Sequence, residues 1–236
     1  NMIDITWFHN SLLFPIILAI TIFVTLLLIY VMIKFSSKNN PKPSRTSHNS
    51  LIEVLWTVIP VVILVIIAIP SFRILYTQQE IPVNADLTIK ATGHQWYWEY
   101  EYPDSNSMSF DSLPLEEEEL TEGKIRLLSV DNPIVVPAGK VVRVQVTAAD
   151  VIHNWAVPSF GVKMDAIPGR LNETWFKVDK PGIYYGMCSE LCGVRHSFMP
   201  IEVHVVEQND YDNWLKDAEQ EFANNNYFPN NIKLAK

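Results

Sequence analysis

Residues 186–200 read GMCSELCGVRHSFMP, and they hold both cysteines of a 236-residue chain together with a histidine and a methionine. The ligand-type side chains fall as C-x3-C-x3-H-x2-M, at Cys188, Cys192, His196 and Met199. Two thiols, an imidazole and a thioether suit a soft or borderline transition metal, whereas calcium and magnesium take oxygen ligands. The stretch therefore proposes a metal loop, and the flanking sequence has to supply its frame.

Upstream and downstream of the loop, short alternating apolar runs are punctuated by glycine and proline. They fall at 87–91, 96–102, 125–130, 141–147, 174–178, 183–186 and 201–206, with period two clearest in VVRVQVT at 141–147. Many short strands separated by turn signals predict an all-β sandwich or barrel. About 120 residues are enough for an independent core. The acidic run 116–119 reads as a solvated loop or short helix. From residue 207 the chain turns helical and polar, with Tyr211, Trp214 and Leu215 as a narrow apolar stripe. The Asn-rich tail after Ala223 has no core-forming pattern and is expected at the surface, in part disordered.

The N-terminal third belongs to another solvent. Residues 12–33 run LLFPIILAITIFVTLLLIYVMI without a charge, and residues 54–75 carry none before Arg73. At ~1.5 Å per helical residue each run crosses a hydrocarbon core of ~30 Å, and Pro60 and Pro70 are tolerable kinks in a membrane helix. The first run exceeds a secretory apolar core and lacks a basic residue before it, so it reads as retained rather than cleaved. The opening on Asn1 rather than methionine is compatible with loss of an earlier segment. The loop at 34–50 holds Lys34, Lys38, Lys42 and Arg45 and no acid, which places it on the cytoplasmic or matrix side and both termini opposite. Trp7, Tyr30, Trp56 and Tyr76 mark the span ends, as amphipathic rings do at an interface. The domain reading is thus an arm and helical hairpin at 1–76, a β domain at 77–206 and a C-terminal helix and tail at 207–236.

Charge divides the same way. Residues 1–75 hold 5 basic and 2 acidic side chains, which leaves 13 basic and 24 acidic beyond them, a net of −11. A field of that sign discourages nucleic acid and favours steering of a basic partner; it also keeps a domain soluble.

Three chemistries compete for the loop. Two cysteines on the oxidising side of a membrane suit a disulfide, and Cys188, Cys192, His196 and one more histidine would complete a zinc tetrahedron. Met199 favours copper, for which a thioether is a common weak axial ligand. A single-copper cupredoxin carries one Cys, one His and a Met on its last loop and a second His on an earlier strand; two cysteines here can bridge two metals. Among the remaining histidines, His94 and His153 precede the loop within the β region, and His153, in ADVIHNWAVPS after the strand at 141–147, is the preferred ligand.

The segments GHQWYWEYEY, ADVIHNWAVPSFGVKMDAIPGR and YYGMCSELCGVRHSFMPI make the chain resemble subunit II of the haem-copper cytochrome c oxidases over nearly its full length. The resemblance implies a two-helix hairpin followed by a cupredoxin-like Greek-key β domain. It implies a dinuclear copper A centre held by His153, Cys188, Cys192, His196, Met199 and the backbone carbonyl of Glu190, and a magnesium ion shared between the Glu190 carboxylate and the catalytic subunit. Trp96 is implied as the point at which electrons enter, and Glu101, Asp131 and Asp150 as part of an acidic surface for cytochrome c. The implied role is electron-accepting subunit of a proton-pumping oxidase, with the haems in a partner subunit, in the mitochondrial inner membrane or bacterial cytoplasmic membrane and with the copper domain on the intermembrane-space or periplasmic side. Asn1 gives a short arm, the 116–119 run and the tail lie outside the shared motifs, Val194-Arg195 fills a spacer that is not expected to be fixed, and none of them removes a ligand. Quinol-oxidising relatives keep the fold without these ligands. The alternative from another class is a zinc- or disulfide-stabilised membrane-anchored structural module.

Overall fold

The computed structural model describes residues 2–42 and 44–222. Its contacts divide into two units, Met2–Gln79 and the chain from Glu80 onward. The Asn-rich tail lies outside the described residues.

The first unit is two long helices, α1 (Met2–Lys34) and α2 (Ser50–Gln79), both apolar enough to cross a membrane. Neither has a buried residue, and large side chains such as Phe23, Leu26 and Leu64 stand exposed along them. A helix that is apolar all round and unburied in protein needs a hydrocarbon solvent. Threonine hydroxyls are satisfied within the helices: Thr21 donates to the Ile17 carbonyl at 2.8 Å and Thr25 to that of Thr21 at 2.7 Å. Asn49 caps α2, its side-chain oxygen accepting from the Leu51 and Ile52 amides at 3.1 and 3.2 Å. One expectation needs correction. Residues 2–11, read as an arm, are helical and continuous with the span through a π-helical turn at His9–Leu13, because Ile3, Ile5, Trp7 and Phe8 extend the apolar surface without a helix breaker.

The second unit is a pair of five-stranded sheets. Strands β1 (Leu87–His94), β2 (Tyr97–Tyr102), β3 (Met108–Ser112), β5 (Val141–Ala148) and β8 (Asn172–Lys177) form one, in the order β3-β2-β1-β5-β8. The other runs β4-β10-β9-β6-β7, from β4 (Ile134–Pro137), β6 (His153–Val157), β7 (Val162–Ala166), β9 (Gly182–Cys188) and β10 (Pro200–Val206). The pairs β1/β5 and β4/β10 are parallel, so the chain must cross between the sheets to build them. Alternation along β1 and β5 turns every second side chain inward. Between the sheets Trp98, Tyr100, Tyr102, Trp155 and Phe176 are almost fully buried. Tyr102 ties the sheets together: its hydroxyl donates to the Val135 carbonyl at 2.9 Å and accepts from the Val135 amide at 3.0 Å. Helix α3 (Gln208–Phe222) lays Tyr211, Trp214 and Ala218 on the same core, with the Trp214 ring tilted against that of Tyr102 at a centroid distance of 5.4 Å.

The run 125–130 is not a strand. The segment turns at Leu127, which has a φ of 67°, and the Ser129 hydroxyl accepts from the Ile125 amide at 2.9 Å; only Val130 pairs, across from Pro114. The acidic run forms a single 3₁₀ turn, Glu117–Glu119, closed by a capping box from Glu116.

Candidate metal centre

The centre sits where three connections meet at one end of the sandwich. Strand β9 delivers Cys188 at its last position, and β10 begins immediately after Met199. The β9/β10 ladder closes the intervening loop, with the Cys188 amide donating to the Met199 carbonyl at 2.9 Å. Strand β6 brings His153 alongside as its first residue. Cys188, Cys192, Met199 and His153 are all buried, His153 and Met199 completely.

The two sulfurs lie 3.8 Å apart and both cysteines are free; a disulfide holds its sulfurs at about 2.05 Å. Each sulfur has its own imidazole. His153 Nδ1 is 3.9 Å from the Cys188 sulfur and His196 Nδ1 is 3.5 Å from that of Cys192. The ligand atoms of His153, Cys188 and Cys192 fall within 4.8 Å of one another, and the Glu190 carbonyl lies 3.4 Å from the Cys188 sulfur. The Glu190 carboxylate is on an exposed residue.

Electrostatics prepare one thiol and hold back the other. Burial pushes the Cys188 thiol up, but hydrogen bonds from His153 and from the Glu190 and Asn154 backbone outweigh it and bring it down to about 6. Burial and the neighbouring Cys188 charge push Cys192 up to about 12. A metal bound by both sulfurs must therefore displace a proton from Cys192. Burial opposes the charged form of His153, while Cys188 and Asp150 favour it and raise its pKa overall.

Asp150 orients His153. Its carboxylate meets the ring's Nε2 at 2.9 Å, which leaves Nδ1 for the sulfur side. The same carboxylate accepts the Gln95 amide at 2.7 Å and the Val151 amide at 2.6 Å. Asp131, another acid assigned to partner docking, accepts the Leu113 and Asn132 amides at 2.7 and 2.6 Å, and Glu101 pairs with Lys90 at 2.9 Å. Asp131 and Asp150 remain exposed and Glu101 is partly so, but each of the three has internal work as well.

Trp96 occupies the turn between β1 and β2, half-buried, and its indole N–H donates to the Cys192 carbonyl at 3.2 Å. Gln95 Nε2 donates to the same carbonyl at 2.8 Å. Two glycines make room. A Cβ on Gly93 would sit 2.8 Å from the His153 ring, and one on Gly193, whose φ is 126°, would sit 2.9 Å from the Trp96 ring. Gln95, Gly93 and the Asp150–His153 bond were not legible in the sequence as parts of the site; Gln95 and Gly93 fall within the GHQWYWEYEY motif, the one signal that could have found them.

The description "Cytochrome C oxidase subunit II, periplasmic domain" matches residues 87–206, and the transmembrane-domain description of the same subunit matches residues 1–74. The chain belongs to the cytochrome c oxidase subunit II family. A probable cytochrome c oxidase subunit 2 from Rickettsia bellii is 55% identical over 228 residues, 97% of this chain and 82% of the relative. The cytochrome c oxidase subunit 2 of Arabidopsis thaliana is 50% identical over 212 residues, 88% and 81% of the two chains. Among solved structures, the periplasmic domain of subunit II (CoxB) of Bradyrhizobium japonicum is 58% identical with a TM-score of 0.57, covering 61% of this chain and 99% of that one. A second structure is the mixed disulfide intermediate between a thioredoxin-like protein, TlpAs, and a subunit II periplasmic domain, at 55% identity, a TM-score of 0.54 and coverage of 61% and 96%. This subunit II chain is thus a two-span membrane anchor carrying a cupredoxin-like β domain, and a component of an oxidoreductase complex.

Proposed function

We propose that the β domain is the electron-accepting module of the oxidase, taking single electrons from cytochrome c at a dinuclear copper A centre and delivering them to the haem of the catalytic subunit for O2 reduction coupled to proton pumping. The observation that carries the reading is the pair of buried sulfurs 3.8 Å apart, each with an imidazole nitrogen of its own. The donors fit the group: the Cys188 and Cys192 sulfurs, the His153 and His196 imidazoles and the Met199 thioether are soft or borderline ligands, all of them buried except half-buried His196, and the Glu190 carbonyl adds an oxygen beside Cys188. A copper pair held there supplies reversible one-electron chemistry. A zinc ion needs only the two sulfurs and two imidazoles and gives the buried Met199 no role.

The chain's own residues do the rest. Asp150 and Gly93 fix the His153 ring, and the β9/β10 ladder fixes Cys188 against Met199, so the ligands need not rearrange when charge changes. Trp96 is the point at which electrons enter, since its indole is one hydrogen bond from the backbone of Cys192. The acidic surface that includes Glu101, Asp131 and Asp150 steers a basic donor. The exposed Glu190 carboxylate is the ligand offered to a magnesium ion shared with the catalytic subunit. Orientation follows the basic loop at 34–50, which puts the β domain on the intermembrane-space or periplasmic side. A thioredoxin-like reductant is a further partner, supported by the mixed disulfide of the relative; it would keep Cys188 and Cys192 reduced before metal uptake.

Metal analysis of the oxidase purified from its native membrane tests the reading. Two coppers attributable to this subunit are expected. One zinc, or a persistent Cys188–Cys192 disulfide under reductant and copper, overturns it.

A further inference from the structure

Residues 113–131 leave β3 in one sheet and reach β4 in the other, and on the way they meet β10 on its outer face. Ile201, Val203 and Val205 of β10 point into the core, so Glu202 and His204 point away from it. Glu202 is nonetheless only 1% exposed. Its carboxylate accepts the Val130 amide at 2.9 Å, Lys124 Nζ at 3.3 Å and His204 Nε2 at 2.7 Å, and Lys124 also donates to the Val130 carbonyl at 3.1 Å. The segment is closed at its base, where the Leu113 amide donates to the Asp131 carboxylate and the Asp131 amide to the Leu113 carbonyl. Three residues beyond Leu113, Glu116, the cap of the 3₁₀ turn, pairs with Arg195, the residue before His196.

A buried carboxylate is costly unless fully paired, and apolar side chains would cover β10 at lower cost. What the carboxylate adds is a fixed direction and distance. We propose that residues 113–131 form a strap that holds the outgoing half of the metal loop, with Glu202 and Arg195 as its two anchors and as positioning residues for His196. Glu202 acts from the strand that begins beside Met199, and Arg195 from the turn that presents the imidazole. The exposed Arg195–Glu116 pair is the weaker and salt-sensitive anchor; the buried Glu202–Lys124 pair is the stronger. The part of the inference that concerns metal retention rests on the copper reading; the tether itself does not.

The test uses the full chain, first without copper and then within the loaded oxidase. In the copper-free chain, amide hydrogen exchange at 193–199 is expected to rise about tenfold or more in Glu202→Gln and Lys124→Met, and about threefold in Arg195→Gln. Amides of β1 and β5 stay as they were. The charge-swapped double variant Arg195→Glu/Glu116→Arg restores the parent rate. Lys124→Met, which leaves β10 intact, carries the test if the Glu202 variant does not fold. In the oxidase, loss of copper to a chelator follows the same order of variants. Unchanged exchange at 193–199, a rise spread evenly over the domain, or faster exchange with unaltered copper retention each overturns the proposal. A parent oxidase without copper in this subunit overturns the copper reading, while the exchange experiment still decides the tether.

Discussion

The two halves of the metal centre are built differently. On the His153 side the supports are fixed by the sandwich and its turns: the buried ring starts an interior strand, Gly93 lies against its face, and an Asp150 carboxylate held by two amides fixes its Nε2. On the His196 side the ligand is half-buried, sits in a three-residue 3₁₀ turn, and has exposed Val194, Arg195 and Ser197 around it. One half is framed by the sandwich and the other by a loop that must be tied to it. The difference teaches that metal retention and metal geometry need not fail together. Damage to the His153 side displaces a ligand in a rigid wall, and damage to the His196 side loosens one.

The cysteines join the halves, so their loss is the largest effect. Cys188→Ser or Cys192→Ser is expected to abolish the dinuclear spectrum of the purified oxidase, and a spectrum that survives either change contradicts a bridge through both sulfurs. Trp96→Ala comes next: stopped-flow reduction by cytochrome c slows while copper content is retained, and unchanged kinetics remove Trp96 from the path. Asp150→Asn then sharpens the contrast between halves. Losing the carboxylate behind a metal-bound histidine costs roughly 10–100-fold in affinity, measurable by competition with a chelator. Because Asp150 is also exposed, the salt dependence of cytochrome c oxidation separates its docking role from its support of His153. Gly93→Ala forces a Cβ against the His153 ring and is expected to cost about 1–3 kcal/mol in thermal stability of the copper-free chain, with no rise in exchange confined to 193–199. The smallest effect is an acid one. Burial raises Glu202, but the bonds to His204 and Val130 and the charge on Lys124 outweigh it and lower its pKa below the ordinary 4.5. Its contribution to stability is therefore present above that value and lost as pH falls through the depressed one; Glu202→Gln removes that acid-dependent part, which thermal melts at neutral and acidic pH can read.

Legibility in the sequence follows the range of the interactions. The spans were plain because a membrane helix is a local run of apolar residues, and β1, β2, β5 and β10 were plain because alternation is local too. The four ligand-type side chains of the loop were spelled out within twelve residues, at Cys188, Cys192, His196 and Met199. Strands β3, β4, β6 and β7 are at most five residues long; β4 and β6 carry no alternation, and that of β3 (MSFDS) and β7 (VKMDA) is too short to stand out. The run at 125–130 has the composition of a strand, yet a hydroxyl and a left-handed leucine turn it. The supports of the site are long-range. Glu202 meets Lys124 across 78 positions and Gln95 meets Cys192 across 97, and no local pattern marks such pairs. Asp131 and Asp150 were legible as surface acids but not as acceptors of backbone amides, because exposure and hydrogen bonding are settled only when the turns around them close.

The central claim is that two coppers share this centre through Cys188 and Cys192. Electron paramagnetic resonance of the oxidised oxidase tests it most directly. One unpaired electron split by two equivalent copper nuclei, lost in Cys188→Ser and in Cys192→Ser, is the result predicted. A signal split by a single copper nucleus, or no copper signal with zinc in its place, contradicts it.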